Sequence, residues 1–125
     1  MIVEKSKISP AFVDERGSIW DLVTDNIDHV GLLISKKGSV RGKHYHKEQK
    51  QYTLVLKGRM KIITKDMSDI VSSIKEFELS EMEMILFPPY CYHSLEALED
   101  SICVIATSKS RKDNGYEEDT FRIEL

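Results

Sequence analysis

The sequence predicts an all-β protein, a sandwich or barrel of short strands, and three observations predict it. The apolar residues fall in short runs rich in β-branched and aromatic side chains. Turn signals separate these runs at regular intervals, and regular spacing of short strands is the pattern of sandwiches and barrels. The one helical competitor, Ser80 to Leu86, is cut short by Pro88-Pro89, because proline cannot continue a helix.

In chain order, strands are expected at Ile19-Trp20-Asp21-Leu22-Val23, Val30-Gly31-Leu32-Leu33-Ile34, Tyr52-Thr53-Leu54-Val55-Leu56 and Met60-Lys61-Ile62-Ile63-Thr64. Further strands follow around Ile74 to Leu79, Met84 to Phe87 and Ser101 to Thr107. Turns are expected at Glu15-Arg16-Gly17, Lys36-Lys37-Gly38, Lys57-Gly58-Arg59 and Asp66 to Asp69. The tail from Lys109 to Asp119 is polar and reads as irregular.

A chain of 125 residues is one ordinary domain, residues 1–125, and is long enough for a core with a pocket inside it. The formal net charge of -3 gives no general attraction to nucleic acid or to an anionic membrane, so any phosphate-bearing ligand needs local cations. No charged-then-apolar leader opens the sequence and no apolar run reaches membrane-spanning length, from which a cytoplasmic location is expected. Cys91 and Cys103 lack the paired spacing of a thiolate metal site and read as reduced thiols.

The segment Gly38 to Gly58 carries the chemistry. His44 and His46 are one residue apart at the start of a β-rich stretch, and alternate strand residues share a face, so both imidazoles can enter one cavity. A third, His93, follows the turn Phe87-Pro88-Pro89-Tyr90 and can be brought across on a second strand. Three convergent imidazoles make either a reaction site or a metal site for Zn, Fe, Mn or Ni; a fourth ligand would come from Gln51, a neutral and poor one, or from Glu48. His29 has no sequence partner and reads as a loop residue, while Phe12 and Trp20 read as core or interface packing.

The order Gly38, five residues, His44, one residue, His46, four residues, Gln51, six residues, Gly58 resembles the first signature of the cupin superfamily, with glutamine in place of the usual glutamate. Pro88 and His93 match a second signature, in which Tyr90 and Met82 stand where glycines are usual. Within the superfamily, Asp14-Glu15-Arg16-Gly17, Arg41-Gly42-Lys43-His44-Tyr45-His46-Lys47 and Gln51 are similar to the nucleotide-sugar branch. That branch includes the dTDP-sugar 3,4-ketoisomerases and, at greater distance, dTDP-4-dehydrorhamnose 3,5-epimerase.

The resemblance implies a cupin jelly roll, a double-stranded β-helix barrel, spanning the chain. It also implies an isomerase or epimerase acting on a nucleotide-linked 4-keto-6-deoxy hexose for surface polysaccharide or glycan. Such a reaction removes a proton beside a ketone and stabilises the enolate or enediol that results. On this reading His46 is the base and His44 its proton-donating partner, roles that their shared face leaves interchangeable. The tyrosine comes from Tyr45, Tyr52, Tyr90 and Tyr92, with Tyr52 taken as the catalytic one and Tyr45 facing away. Arg41 binds the diphosphate with Lys43 or Arg59 as helpers, and Gln51, Tyr92 and His93 line the substrate site. No redox cofactor is expected, and a metal is the alternative. The resemblance further implies a homodimer, with N-terminal strands exchanged.

Overall fold

The computed structural model describes residues 1–125 and is built almost wholly of antiparallel strands. They are β1 (Lys5–Lys7), β2 (Phe12–Asp14), β3 (Gly17–Ile19), β4 (His29–Ser35), β5 (Val40–Tyr45) and β6 (Gln51–Lys57). Then come β7 (Met60–Asp66), β8 (Lys75–Leu79), β9 (Glu83–Phe87), β10 (Cys91–Ala97), β11 (Ser101–Thr107) and β12 (Phe121–Arg122). A short 3-10 turn (Lys112–Asn114) and α1 (Gly115–Glu118) lie between the last two.

Two five-stranded sheets face each other, ordered β1-β9-β6-β11-β4 and β12-β5-β10-β7-β8. Apart from the consecutive pair β7-β8, neighbours in each sheet are non-consecutive in sequence, which is the jelly-roll arrangement the resemblance implies. The hairpin β2-β3 pairs only with itself and projects from the sandwich. Ser80 to Leu86 is a turn running into β9, not a helix, as the prolines require.

The expected strand at Ile19–Val23 stops at Ile19, and residues 20–28 run without a ladder partner. The tail from Lys109 to Asp119 is irregular except for the 3-10 turn and α1, and just beyond it β12 joins the edge of β5, pairing Phe121 with Tyr45 and Arg122 with His44.

Between the sheets, Val55, Met60, Ile62, Leu79, Ile85, Phe87, Cys91 and Cys103 form one apolar cluster. Each large side chain that is fully removed from water there contributes roughly 1.5–3 kcal/mol. Both cysteines are free and buried, and burial pushes their thiols up to about 12 for Cys91 and about 11 for Cys103. The other half of the sandwich, between β4-β11-β6 and β12-β5-β10, is left open as a cavity of about 710 Å³.

Candidate functional site

Antiparallel pairing of β5 with β10 sets His44 opposite His93, and His46 follows just past the end of β5. The three rings gather with centroids 4.8 Å apart for His44 and His46, 4.7 Å for His44 and His93, and 5.4 Å for His46 and His93. Gly42 allows this closeness. It sits at φ +87°, and a Cβ there would lie 2.7 Å from the His93 carbonyl oxygen, beside the irregularity between His93 and Ser94.

Backbone carbonyls orient two of the rings. His46 Nδ1–H donates to the Asp119 carbonyl at 2.8 Å, and His93 Nδ1–H donates to the Cys91 carbonyl at 3.0 Å. That tautomer leaves Nε2 of each ring as a lone pair, and both Nε2 atoms are buried without a hydrogen-bond partner. His93 also stacks on Phe87, with centroids 4.3 Å apart and rings 2° from parallel. Burial, reinforced by the neighbouring imidazoles, lowers the His44 pKa to about 4 and holds His93 well below its ordinary value. Burial also lowers His46, opposed by its bond to Asp119. All three rings are therefore neutral at pH 7, the state required of a base or a metal ligand.

Asp119 does more than hold the ring. Its buried carboxylate accepts the backbone N–H of Lys47 at 2.9 Å, of Glu48 at 3.1 Å and of Gln49 at 2.8 Å, which pins the turn after His46 to the tail. From the same tail Tyr116 sets its ring 6.3 Å from His44 and 5.6 Å from His46. Arg111 lies over that ring, 4.2 Å from its centroid.

Of the residues singled out from sequence, Arg41, His44, Gln51 and His93 line the cavity, and His46 lies just behind its wall against His44 and Tyr116. Five others lie elsewhere. Tyr52 stands between Gln51 and Thr53, whose side chains bond each other on the inner face, so it points outward and donates to Asp25 at 2.7 Å. Arg59 is taken up by Glu78 and Glu99 at the β6–β7 turn. Lys43 and Tyr92 line a groove outside the β5-β10 sheet, with Lys43 3.7 Å from Glu124. Glu48 is paired with Lys109 rather than turned toward the triad.

Sequence reasoning missed His29, Arg111, Tyr116, Glu117 and Arg122, all of which line the cavity. Arg122 is gripped by Glu117 at 2.9 and 3.1 Å, while Arg41 and Arg111 have no carboxylate partner. The site thus offers three neutral imidazoles, a phenol and two uncommitted guanidinium groups, a set that suits proton transfer on an anionic ligand.

A family model for the polysaccharide biosynthesis C-terminal domain matches residues 12–121. No curated protein matches the chain in sequence. Among solved structures, dTDP-4-dehydrorhamnose 3,5-epimerase from Sulfolobus tokodaii superposes with a TM-score of 0.77 at 27% identity, over 98% of this chain and 76% of that one. The capsular polysaccharide assembling protein CapF from Staphylococcus aureus gives a TM-score of 0.70 at 26% identity, over 96% of this chain and 33% of CapF. A histidine-to-asparagine mutant of the 3,4-ketoisomerase QdtA from Thermoanaerobacterium thermosaccharolyticum, in complex with TDP-4-keto-6-deoxyglucose, gives 0.75 at 19% identity, over 97% and 87%. At that identity the ketoisomerase shows the shared cupin-like fold alone.

Proposed function

Because the chain belongs to the polysaccharide biosynthesis C-terminal domain family, we propose that it isomerises or epimerises a nucleotide-linked 4-keto-6-deoxy hexose by proton transfer beside the ketone. The carrying observation is the triad of neutral imidazoles at a cavity that also holds two unpaired arginines. The 27%-identical dTDP-4-dehydrorhamnose 3,5-epimerase supports the same substrate class.

His46 is the proton acceptor, since the Asp119 carbonyl holds its Nδ1–H and so fixes Nε2 as the lone pair. His44, beside it on the cavity wall, donates to the ketone oxygen as the enediolate forms. Arg41 takes the diphosphate, with Arg111 as the second cation, because a guanidinium fork matches phosphate oxygens. The reaction leaves the overall oxidation state of the sugar unchanged, so it needs no redox cofactor. A nucleotide-linked substrate also supports a cytoplasmic location.

A metal is the second reading, favoured by the two buried, unpartnered Nε2 atoms. The ligand nitrogens of His44, His46 and His93 lie within 4.8 Å of one another and fit Zn, Fe, Mn or Ni, with the amide oxygen of Gln51 as the available fourth donor. An ion held there would polarise the ketone oxygen as a Lewis acid.

Thermal unfolding of metal-stripped protein against dTDP, UDP, GDP and CDP, with metal content measured on the untreated preparation, tests both readings. One nucleotide diphosphate is expected to raise the melting temperature, and Arg41→Ala to abolish the rise. No shift with any nucleotide, together with stoichiometric metal, would move the function to a metal-dependent cupin enzyme acting on another small molecule. Binding that persists without turnover, and is indifferent to His46→Asn, would leave a non-catalytic sugar-binding module.

The molecule is proposed to act as a homodimer. Val30, Leu32 and Ile34 leave an apolar stripe, each residue 66% exposed, on the outer face of edge strand β4. The projecting hairpin β2-β3 and its flank expose Phe12, Val13, Ile19 and Trp20. A second copy satisfies both surfaces if each hairpin lies across the other's β4.

A further inference from the structure

Proton transfer beside a ketone needs two events, removal and return, and the three histidines stand on or beside one wall of the cavity, the β12-β5-β10 sheet. Tyr116 is on the same side, with its ring against His44 and His46. The facing sheet contributes His29, Gly31, Leu32, Leu33, Gln51 and Ile105. Only one of these, His29, has a side chain that can both accept and donate a proton in a single exchange with the substrate.

We propose that His29 is the second proton-transfer group of the site and returns a proton to the reacting carbon from the wall opposite the triad. This rests on the isomerase reading given above.

Its placement comes from the sheet register. Thr107 of β11 pairs with Gln51 of β6 on one side and with His29 of β4 on the other, so the three form one row. Gln51 and His29 both face the cavity, two strand spacings or about 9.6 Å apart. Gly31 provides the room. It lies on the same face two residues further along β4, and a Cβ there would stand 3.1 Å from His29 Cε1 and 3.5 Å from Nε2. The imidazole therefore rests in the space a side chain would fill, flat along its own strand. Its Nδ1 is buried and has no hydrogen-bond partner. A purely structural histidine in such a place would be expected to satisfy that nitrogen.

The proton count closes. His46 Nε2 removes the proton beside the ketone, leaving an enediolate and an imidazolium. His29, as imidazolium, transfers an N–H proton to the carbon, forming the new C–H bond and returning to neutral imidazole. In a ketone migration the proton of the neighbouring hydroxyl passes to the former ketone oxygen; His46 then releases its proton to water and His29 takes one up, so substrate and product differ only in the position or face of hydrogen. Hydrogen arrives on the face opposite to the one it left.

The test uses whichever dTDP-, UDP-, GDP- or CDP-linked 4-keto-6-deoxy hexose the wild type accepts, incubated in deuterium oxide. Deuterium wash-in to recovered substrate and product formation are followed together by mass spectrometry. His29→Gln is expected to keep the nucleotide-induced rise in melting temperature, which also shows that it folds, and to keep wash-in within about twofold. Product formation is expected to fall by about 10²-fold or more, the usual contribution of a positioned acid. Gly31→Ala, which crowds the ring while leaving it present, should show a milder form of the same split. Wild-type product formation in His29→Gln overturns the assignment, as does loss of wash-in and product together. A wild type that binds no nucleotide and exchanges no sugar proton sinks the isomerase reading, and this one with it.

Discussion

Met82 and Tyr90 take left-handed backbone, φ +63° and +67°, at the two places where the cupin pattern carries glycine. The conformation is demanded by the turns, whatever residue is present. Met82 N–H donates to Val55 at 2.7 Å and its carbonyl accepts from Ile8 at 2.8 Å, while Tyr90 N–H donates to the His46 carbonyl at 2.6 Å. A Cβ in that region costs roughly 1–2 kcal/mol, part of which glycine returns through its freer unfolded chain. Met82→Gly is therefore expected to raise stability by about 1 kcal/mol, or a few degrees in Tm, in a denaturation experiment; an unchanged or lowered midpoint contradicts this. The same scale shows what a sequence can reveal of a site. His44 and His46 were legible because alternation on a strand is a local property, and His93 because a proline turn just ahead of it marks the start of a returning strand. Tyr52 was not: its strand is central, with Leu54 buried on its own side and Gln51, Thr53 and Val55 buried on the other, so no alternation marked which parity faced the cavity.

At the level of elements, the segment from the end of β11 to β12 is the part that polarity and lack of period concealed. It supplies Arg111, Tyr116, Glu117 and Arg122 to the cavity and Asp119 to the turn after His46. Its order comes from partners about 70 positions away, such as Lys47 at 72, and not from neighbours along the chain. No window of local sequence contains that information. Asp119→Ala removes one buried carboxylate that serves three backbone donors and is expected to cost about 2–3 kcal/mol. It should also slow substrate proton exchange more than Asp119→Asn, whose amide oxygen still accepts; equal loss in the two variants would show that the carboxylate charge, and not the clamp, is what matters. β4, β6, β7, β8, β9 and β11 were legible because each is a short apolar run between turn signals, whereas β5 and β10 were legible only through their histidines. β1, β2 and β12 were not, because their few residues are polar or exposed and are strands only through the partner beside them.

For the whole molecule, the exposed stripe on β4 and the unattached hairpin are complementary in character, and neither finds cover within its own chain. A sandwich that gives half its interior to a cavity has less core to hold it, and burial against a second copy restores some of that loss. Leu32→Glu, which puts a charge in the middle of the stripe, is expected to convert a particle of twice 14.4 kDa into one of 14.4 kDa by light scattering. A wild type already of the smaller mass at every concentration removes the dimer from the proposal. The placement of Trp20 has a practical consequence. The sequence holds one tryptophan, and it stands just beyond the projecting hairpin, 36% exposed, with its indole N–H given to Ser18 at 2.8 Å. Fluorescence from this protein is therefore a gauge of the meeting between copies, shifting to the blue as the hairpin is covered on concentration. Melting of the core, which contains no indole, has to be followed by circular dichroism.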